Sequence, residues 1–184
     1  MNSIRNYQPY NEQEEKDLAL FQKSLDLFDD VLVRENTIAH VGCSAFVVNS
    51  ARSKVLMIYH NIYQSWSLPG GHADGNSDLL AVAMAEVKEE TGIEHYKPVT
   101  EDIFSIDILA VIGHYKKGEY VSAHLHLDAS YLIEANEDDP LIIKEDENSD
   151  VKWVPMDQVV DHSTEPHMKL VYAKLIDKVR TLGL

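Results

Sequence analysis

Cysteine is nearly absent from this chain: Cys43 is the only one in 184 residues. A lone thiol excludes an intrachain disulfide and any zinc site built from several cysteines. Basic residues are scarce as well, with 16 Lys and Arg against 31 Asp and Glu and a formal charge of -15. So large an excess argues against nucleic acid or an anionic membrane as a direct partner, because no counterion release would reward the contact. An anionic nucleotide would need cations to screen it. No apolar run is long enough to cross a bilayer, and the first dozen residues are polar rather than a secretory leader, so the expected location is cytoplasmic. Internal repeats and low-complexity linkers are missing too. What remains is an ordinary globular composition, 45% apolar and 26% charged, at a length suited to one domain with an appendage.

Against that background one stretch stands out, LPGGHADGNSDLLAVAMAEVKEETGI, residues 68–93. Two glycines and a polar loop (His72 to Ser77) precede an apolar, alanine-rich segment without internal Gly or Pro. The pattern predicts a helix from about Asp78 to Thr91. Ser77 or Asp78 can cap its start, Gly92 supplies a left-handed stop, and Asp74 can turn the loop at Gly75. On such a helix Glu86 lies three residues from Glu89 and four from Glu90, so three carboxylates share one patch of its last turns. They repel one another and face the negative end of the helix dipole. A divalent cation removes both penalties, and hard oxygen donors suit Mg²⁺ or Mn²⁺ better than zinc. A solvated acidic helix end is the plainer alternative.

The rest of the chain supplies a frame. Residues 12–34 predict an N-terminal helix, with Leu18, Phe21, Leu25, Phe28 and Leu32 on one stripe and Glu14, Glu15, Asp17, Asp26, Asp29 and Asp30 on a polar face. The stripe is expected to pack on the neighbouring domain; a homodimer contact is the lesser use. Strands are expected at Ile38–Val48 and Lys54–Tyr59, with Cys43 as a buried thiol rather than a nucleophile. Tyr59, His60, Tyr63 and Trp66 read as core or rim packing, with base stacking as the secondary possibility. A strand from Ile103 to His114, a turn at 116–119 and a return strand follow. On the return strand Ser122, His124, His126, Asp128 and Ser130 alternate with apolar residues. That polar row reads as the lining of a cleft, in preference to a solvated face or metal ligation. An acidic stretch, Glu134 to Asp150, a short strand at Val151–Val154 and a helix from about Glu165 to Arg180 complete the chain, with Pro166 in the helix's first turn.

The 68–93 stretch resembles the signature of the Nudix hydrolases, written G-x5-E-x7-R-E-U-x-E-E-x-G-U with U a bulky aliphatic residue. Gly71, Glu86, Val87, Glu89, Glu90, Gly92 and Ile93 fill seven of its nine defined positions. Ser77 and Ala85 stand where the signature has Glu and Arg. That pair is usually described as bracing the loop against the helix, and its joint loss removes the brace without stranding a charge. A bacterial subgroup with a Gly-Gly-His-Ala-Asp-Gly loop looks similar, and also has His-x-His on a later strand.

The resemblance implies an α/β fold, the Nudix α/β/α sandwich, with a mixed sheet and a catalytic loop-helix-loop. The N-terminal helical extension would be 1–36 and the Nudix domain 37–184. It implies Mg²⁺-dependent hydrolysis of a diphosphate linkage in a small nucleoside diphosphate derivative. Glu86, Glu89 and Glu90 would hold the metal and carry catalysis; Gly70, Gly71, His72, His124 and His126 would face the substrate. Glu145, Asp146 or Glu147 could add a further acid from outside the signature. Three other readings stay open: a Nudix-fold binding module without hydrolysis, an isopentenyl diphosphate isomerase-like enzyme, for which Cys43 in mid-strand is a poor catalytic thiol, and a structural acidic-helix protein without metal affinity.

Overall fold

The computed structural model describes residues 1–116, 118–181 and 183. In chain order the elements are α1 (Asn2–Asn6), α2 (Glu12–Leu27), β1 (Ala39–Asn49), β2 (Lys54–His60), β3 (Ser65–Ser67), β4 (Gly70–His72), α3 (Leu79–Thr91), β5 (Tyr96–Pro98), β6 (Ser105–Val111), β7 (His114–Lys116), β8 (Glu119–Val121), β9 (His124–Ala135), β10 (Asn148–Pro155), α4 (Val159–His162) and α5 (Pro166–Thr181). The main sheet runs β10-β2-β1-β9-β5, with β3 on β2, β4 on β1 and β6 on β9. It is mixed. β1 and β9 are parallel along their shared length, Ala39 opposite Leu125 to Asn49 opposite Ala135, and the other pairings are antiparallel.

Alternation along β1 divides the core into two layers. Val41, Cys43, Ala45 and Val47 face Leu18 and Phe21 of α2 and Leu79, Ala83 and Val87 of α3. Phe46 and Val48 face Tyr172, Leu175, Ile176 and Val179 of α5. Helices therefore cover both faces of a sheet whose central strands are buried throughout, which is the α/β/α sandwich.

The N-terminal helix is shorter than its apolar stripe suggests. It stops at Leu27, with Phe28 as an extended C-cap. Asp26, Asp29 and Asp30 crowd that end, where the helix dipole is negative and the last turn itself carries no basic residue; Arg5 pairs with Asp26 from outside the helix at 2.6 Å. Glu14 does not lie on a solvated face as the polar pattern predicts; it is fully buried. Its carboxylate meets Lys178 at 2.9 Å, Lys174 at 3.2 Å, and the hydroxyls of Tyr7 at 2.6 Å and Ser105 at 3.0 Å. Lys174 also pairs with buried Asp107 at 2.7 Å. Two acids and two lysines thus close a balanced buried network between the first and last long helices.

The expected strand at 103–114 is interrupted. β6 pairs with β9, and a separate small hairpin, β7 with β8, extends beyond it. The turn predicted there includes Lys117, outside the described residues. The C-terminal helix begins at Pro166, one residue after its expected start. Among the described residues no helix is long and apolar enough to cross a membrane.

Candidate active site

The predicted signature helix forms at Leu79–Thr91. Asp78, not Ser77, is the cap: its side chain accepts the Ala81 N–H at 3.1 Å. Gly92 ends the helix at φ 73°. In the preceding loop Asp74 (φ 45°) and Gly75 (φ 87°) make the expected turn. The side chain of Asp74 reaches outside the loop, however, to a bidentate pairing with Arg34 through its Nε (2.8 Å) and a second guanidinium nitrogen. Ser77 and Ala85 are both exposed. The loop is tied to the segment after α2 rather than to its own helix.

β4 lays the glycine turn across the end of α3. The Gly70 N–H donates to Glu90 Oε2 at 2.9 Å. A β-carbon on Gly71 would fall onto the Glu86 carboxylate, 2.5 Å from its Cδ. The room these glycines leave is taken by the two glutamates. Glu90 is buried and Glu86 half-buried. Burial, reinforced by Glu86 and Glu147, pushes the Glu90 carboxyl up to about 8 against the opposing Gly70 hydrogen bond. Burial also raises Glu86.

Of the three acids that the sequence left unranked, Glu147 is brought to the glutamates. One carboxylate oxygen from each of Glu86, Glu90 and Glu147 lies within 4.8 Å of the others. The placement has a local cause. Buried Asn148 opens β10, and its side-chain amide donates to the backbone carbonyl of Glu90 at 2.9 Å, pinning the neighbouring residue against the helix. Asp146 lines the same cleft. Glu89 is exposed at the rim, 3.3 Å from Lys144, which also pairs with Glu147 at 2.9 Å. Three crowded carboxylates, two with raised pKa values, fit a hard divalent cation through oxygen donors alone.

A second cavity lies on the other side of β4, over the face covered by α5. Gly42, Ser44, His126, Asp128 and Ser130 form its floor, and His60, Tyr63, Met168 and Tyr172 its wall. Asp128 accepts the hydroxyls of Ser44 (2.8 Å) and Ser130 (2.9 Å), and burial pushes its carboxyl up to about 6. Of the polar row, His126, Asp128 and Ser130 border the cavity and His124 does not; Asp128 and Ser130 are buried. His72 lines both this cavity and the carboxylate cleft, while His124 sits half-buried beside His126. Burial and the neighbouring histidines depress His126 to about 2, and burial, Arg34 and His40 depress His72 to about 4. Cys43 is buried, and burial, with the charges of Asp128 and Glu86, pushes its thiol well up, which disfavours the thiolate. Tyr63 stacks on His60 at 4.3 Å, and Trp66 packs under Lys152 at 3.9 Å. Sequence reasoning missed Arg34, Ser44 and His40. None carries a local signal, because each enters through the parallel pairing of β1 with β9 or the loop before it.

The fold agrees with the comparisons to known proteins. The C. elegans Ap4A hydrolase in a binary complex superposes with a TM-score of 0.56 at 20% identity, over 77% of this chain and 96% of that one. A NUDIX-family hydrolase from Clostridium perfringens gives 0.53 at 18%, over 75% and 96%. The E. coli dihydroneopterin triphosphate pyrophosphohydrolase gives 0.54 at 14%, over 74% and 94%. At these identities the likeness establishes the shared fold. No curated protein matches the chain. The sequence model of the NUDIX domain matches residues 39–175, most of the chain and all of the cleft apart from Arg34, and on that match the chain belongs to the Nudix hydrolase family.

Proposed function

We propose that the protein hydrolyses a diphosphate linkage in a small nucleoside diphosphate derivative, with Mg²⁺ or Mn²⁺ held by Glu86, Glu89 and Glu90 and by Glu147 from the loop before β10. The convergence of Glu86, Glu90 and Glu147 beside the Gly70–Gly71 turn carries this reading. A divalent ion bound there supplies Lewis-acid polarisation of the diphosphate and a more acidic attacking water. The chain's own residues do the remainder. Glu90, buried and held by the Gly70 N–H, fixes one carboxylate in place. Glu147 and Glu86 stand where either can take a proton from water in the cleft. Arg34 and Lys116 on the same cleft offer positive charge to an anionic substrate in a chain that has little of it. Gly70, Gly71 and His72 form the shared wall between the cleft and the cavity, so a substrate spanning both would put its diphosphate at the carboxylates and another group near His126. Residues 37–184 would be the catalytic domain and 1–36 a helical extension packed on it.

A panel of dinucleoside polyphosphates, nucleotide sugars and nucleoside triphosphates, assayed for phosphate or nucleotide release with Mg²⁺, tests the proposal. Turnover should require the metal and fall by about 10²-fold or more in Glu90→Gln and Glu147→Gln. Turnover that survives both substitutions, or the addition of chelator, would overturn it.

A further inference from the structure

Four histidines gather at one end of the β1–β9 pair, next to the carboxylate cleft that His72 also lines. His40 lies 4.8 to 4.9 Å, centroid to centroid, from His72, His124 and His126. The ring nitrogens converge on one another. His126 Nε2 is 3.3 Å from His72 Nε2 and 3.2 Å from His124 Nε2. Ligand nitrogens of His40, His124 and His126 all lie within 4.8 Å of one another.

The hydrogen bonding leaves this centre short of protons. His40 Nδ1 is 2.9 Å from the Asn36 carbonyl, and His124 Nδ1 is 2.8 Å from the Ser122 carbonyl. A carbonyl only accepts, so both rings carry their proton on Nδ1 and present a bare lone pair at Nε2. His126 can offer one N–H at most to its two neighbours. Among the described residues His40 Nε2 has no partner, although the residue is only 4% exposed. A buried, unpartnered ring nitrogen is costly unless something meets it.

An ion where the His40, His124 and His126 nitrogens converge would meet three of them, and His72 Nε2, 3.3 Å from His126 Nε2, is the neighbouring ring that would turn in as the fourth. Zinc binds imidazole at roughly 2.0–2.1 Å, which sets ligand nitrogens about 3.3–3.4 Å apart, close to the 3.2 and 3.3 Å separations found here. The carbonyl bonds to His40 and His124 are the outer contacts that typically orient such ligands. We propose that His40, His124 and His126, joined by His72, bind one zinc-class divalent ion, at a site distinct in chemistry from the carboxylate cleft, which it adjoins at His72. Neutral imidazoles select a borderline transition ion, whereas the carboxylates select a hard one. By joining β4 to β1 and β9, the ion would fix the strand on which Glu86 and Glu90 rest. Sequence alternation shows only His124 and His126; the parallel register and β4 add His40 and His72.

The proposal is independent of the hydrolytic reading. Its test uses full-length protein, purified without an affinity tag, stripped with chelator and titrated with Zn²⁺ and with Co²⁺. One equivalent of zinc should bind per chain with submicromolar affinity and raise the melting temperature. Cobalt should give the intense visible bands of a four-coordinate ion. His40→Ala and His126→Ala should abolish this binding and Glu90→Gln should retain it; should the buried variants fail to fold, the half-exposed His124→Ala decides. Folded wild-type protein that takes up no zinc at micromolar free metal would overturn the site. So would binding lost in Glu90→Gln but kept in the histidine variants, or a weak six-coordinate cobalt spectrum.

Discussion

Gly71→Ala separates the chemistry of the cleft from the stability of the fold. Gly71 does not need a left-handed backbone, so alanine is permitted at the main chain. The new methyl would land on Glu86 Oε1 and lie 2.5 Å from its Cδ and 3.2 Å from its Cγ. These are far-end atoms of a side chain that can rotate away, at about 0.5–1.5 kcal/mol for an off-rotamer torsion. The carboxylate, however, must move by an ångström or more. A displacement of that size costs roughly 10²-fold in rate, or about 2.7 kcal/mol of transition-state stabilisation. Gly70→Ala should give the opposite pattern. Its methyl meets backbone, 2.6 Å from the Cys43 carbonyl oxygen and 3.1 Å from the Ser44 Cα, which forces β4 off β1 and costs about 1–3 kcal/mol of stability. Urea midpoints and kcat, measured on both variants with whichever panel substrate turns over, provide the comparison. A Gly71→Ala enzyme within about threefold of wild-type kcat would refute the idea that Glu86 is held by the glycine turn.

Glu14→Ala should destabilise the protein by about 3–5 kcal/mol, because it leaves Lys178 and Lys174 buried without their common partner; a denaturation shift below about 1 kcal/mol would mean that the lysines find water instead. Arg34→Ala should change stability by under about 1 kcal/mol, since both it and Asp74 are roughly half exposed, yet it should raise KM through the loosened loop and lost charge; unchanged KM would remove Arg34 from the site. Asp139 accepts the N–H groups of Glu94 and His95 at 3.0 and 2.8 Å, and these bonds, the His95 N–H first, hold its carboxyl down to about 2. Its folded-state pKa lies below the ordinary value of 3.8, so its stabilisation is present above that value and lost as pH falls from about 4 to about 2. Asp139→Asn should flatten the acid limb of the stability curve in that window, and an unaltered limb would show the carboxylate to be free in solution.

Local signals made the signature helix legible: a capping aspartate, good helix formers and a terminal glycine, all within 15 residues of one another. The central strands and the last helix were legible for the same reason, their apolar periodicity being intact. Glu14 was misread because a carboxylate on a polar face looks the same whether water or two lysines from the opposite end of the chain face it. Glu147 could not be ranked against Glu145 and Asp146, because its position depends on Asn148 finding a helix carbonyl 58 residues back. The histidine cluster was half visible, since alternation places side chains on a face but says nothing of which other strands share it.

The parallel ladder between β1 and β9 also constrains how the chain comes to be folded. Ala39 waits for Leu125 and Asn49 for Ala135, so nearly half of the sequence lies between partners in the middle of the sheet. Loop closure of that span must precede the reward from any of these pairs, which makes folding slow for a domain of this size. During synthesis β1 and β2 emerge as a hairpin with both apolar faces bare, and β9 reaches them only after some 75 further residues have been added, several seconds at ribosomal rates. The scarcity of positive charge acquires a use over that interval. The 75 residues between His60 and Ala135 add 12 Asp and Glu against 4 Lys and Arg, so the growing chain increasingly repels its neighbours on the same message, which protects the open edge of β1 until its parallel partner arrives.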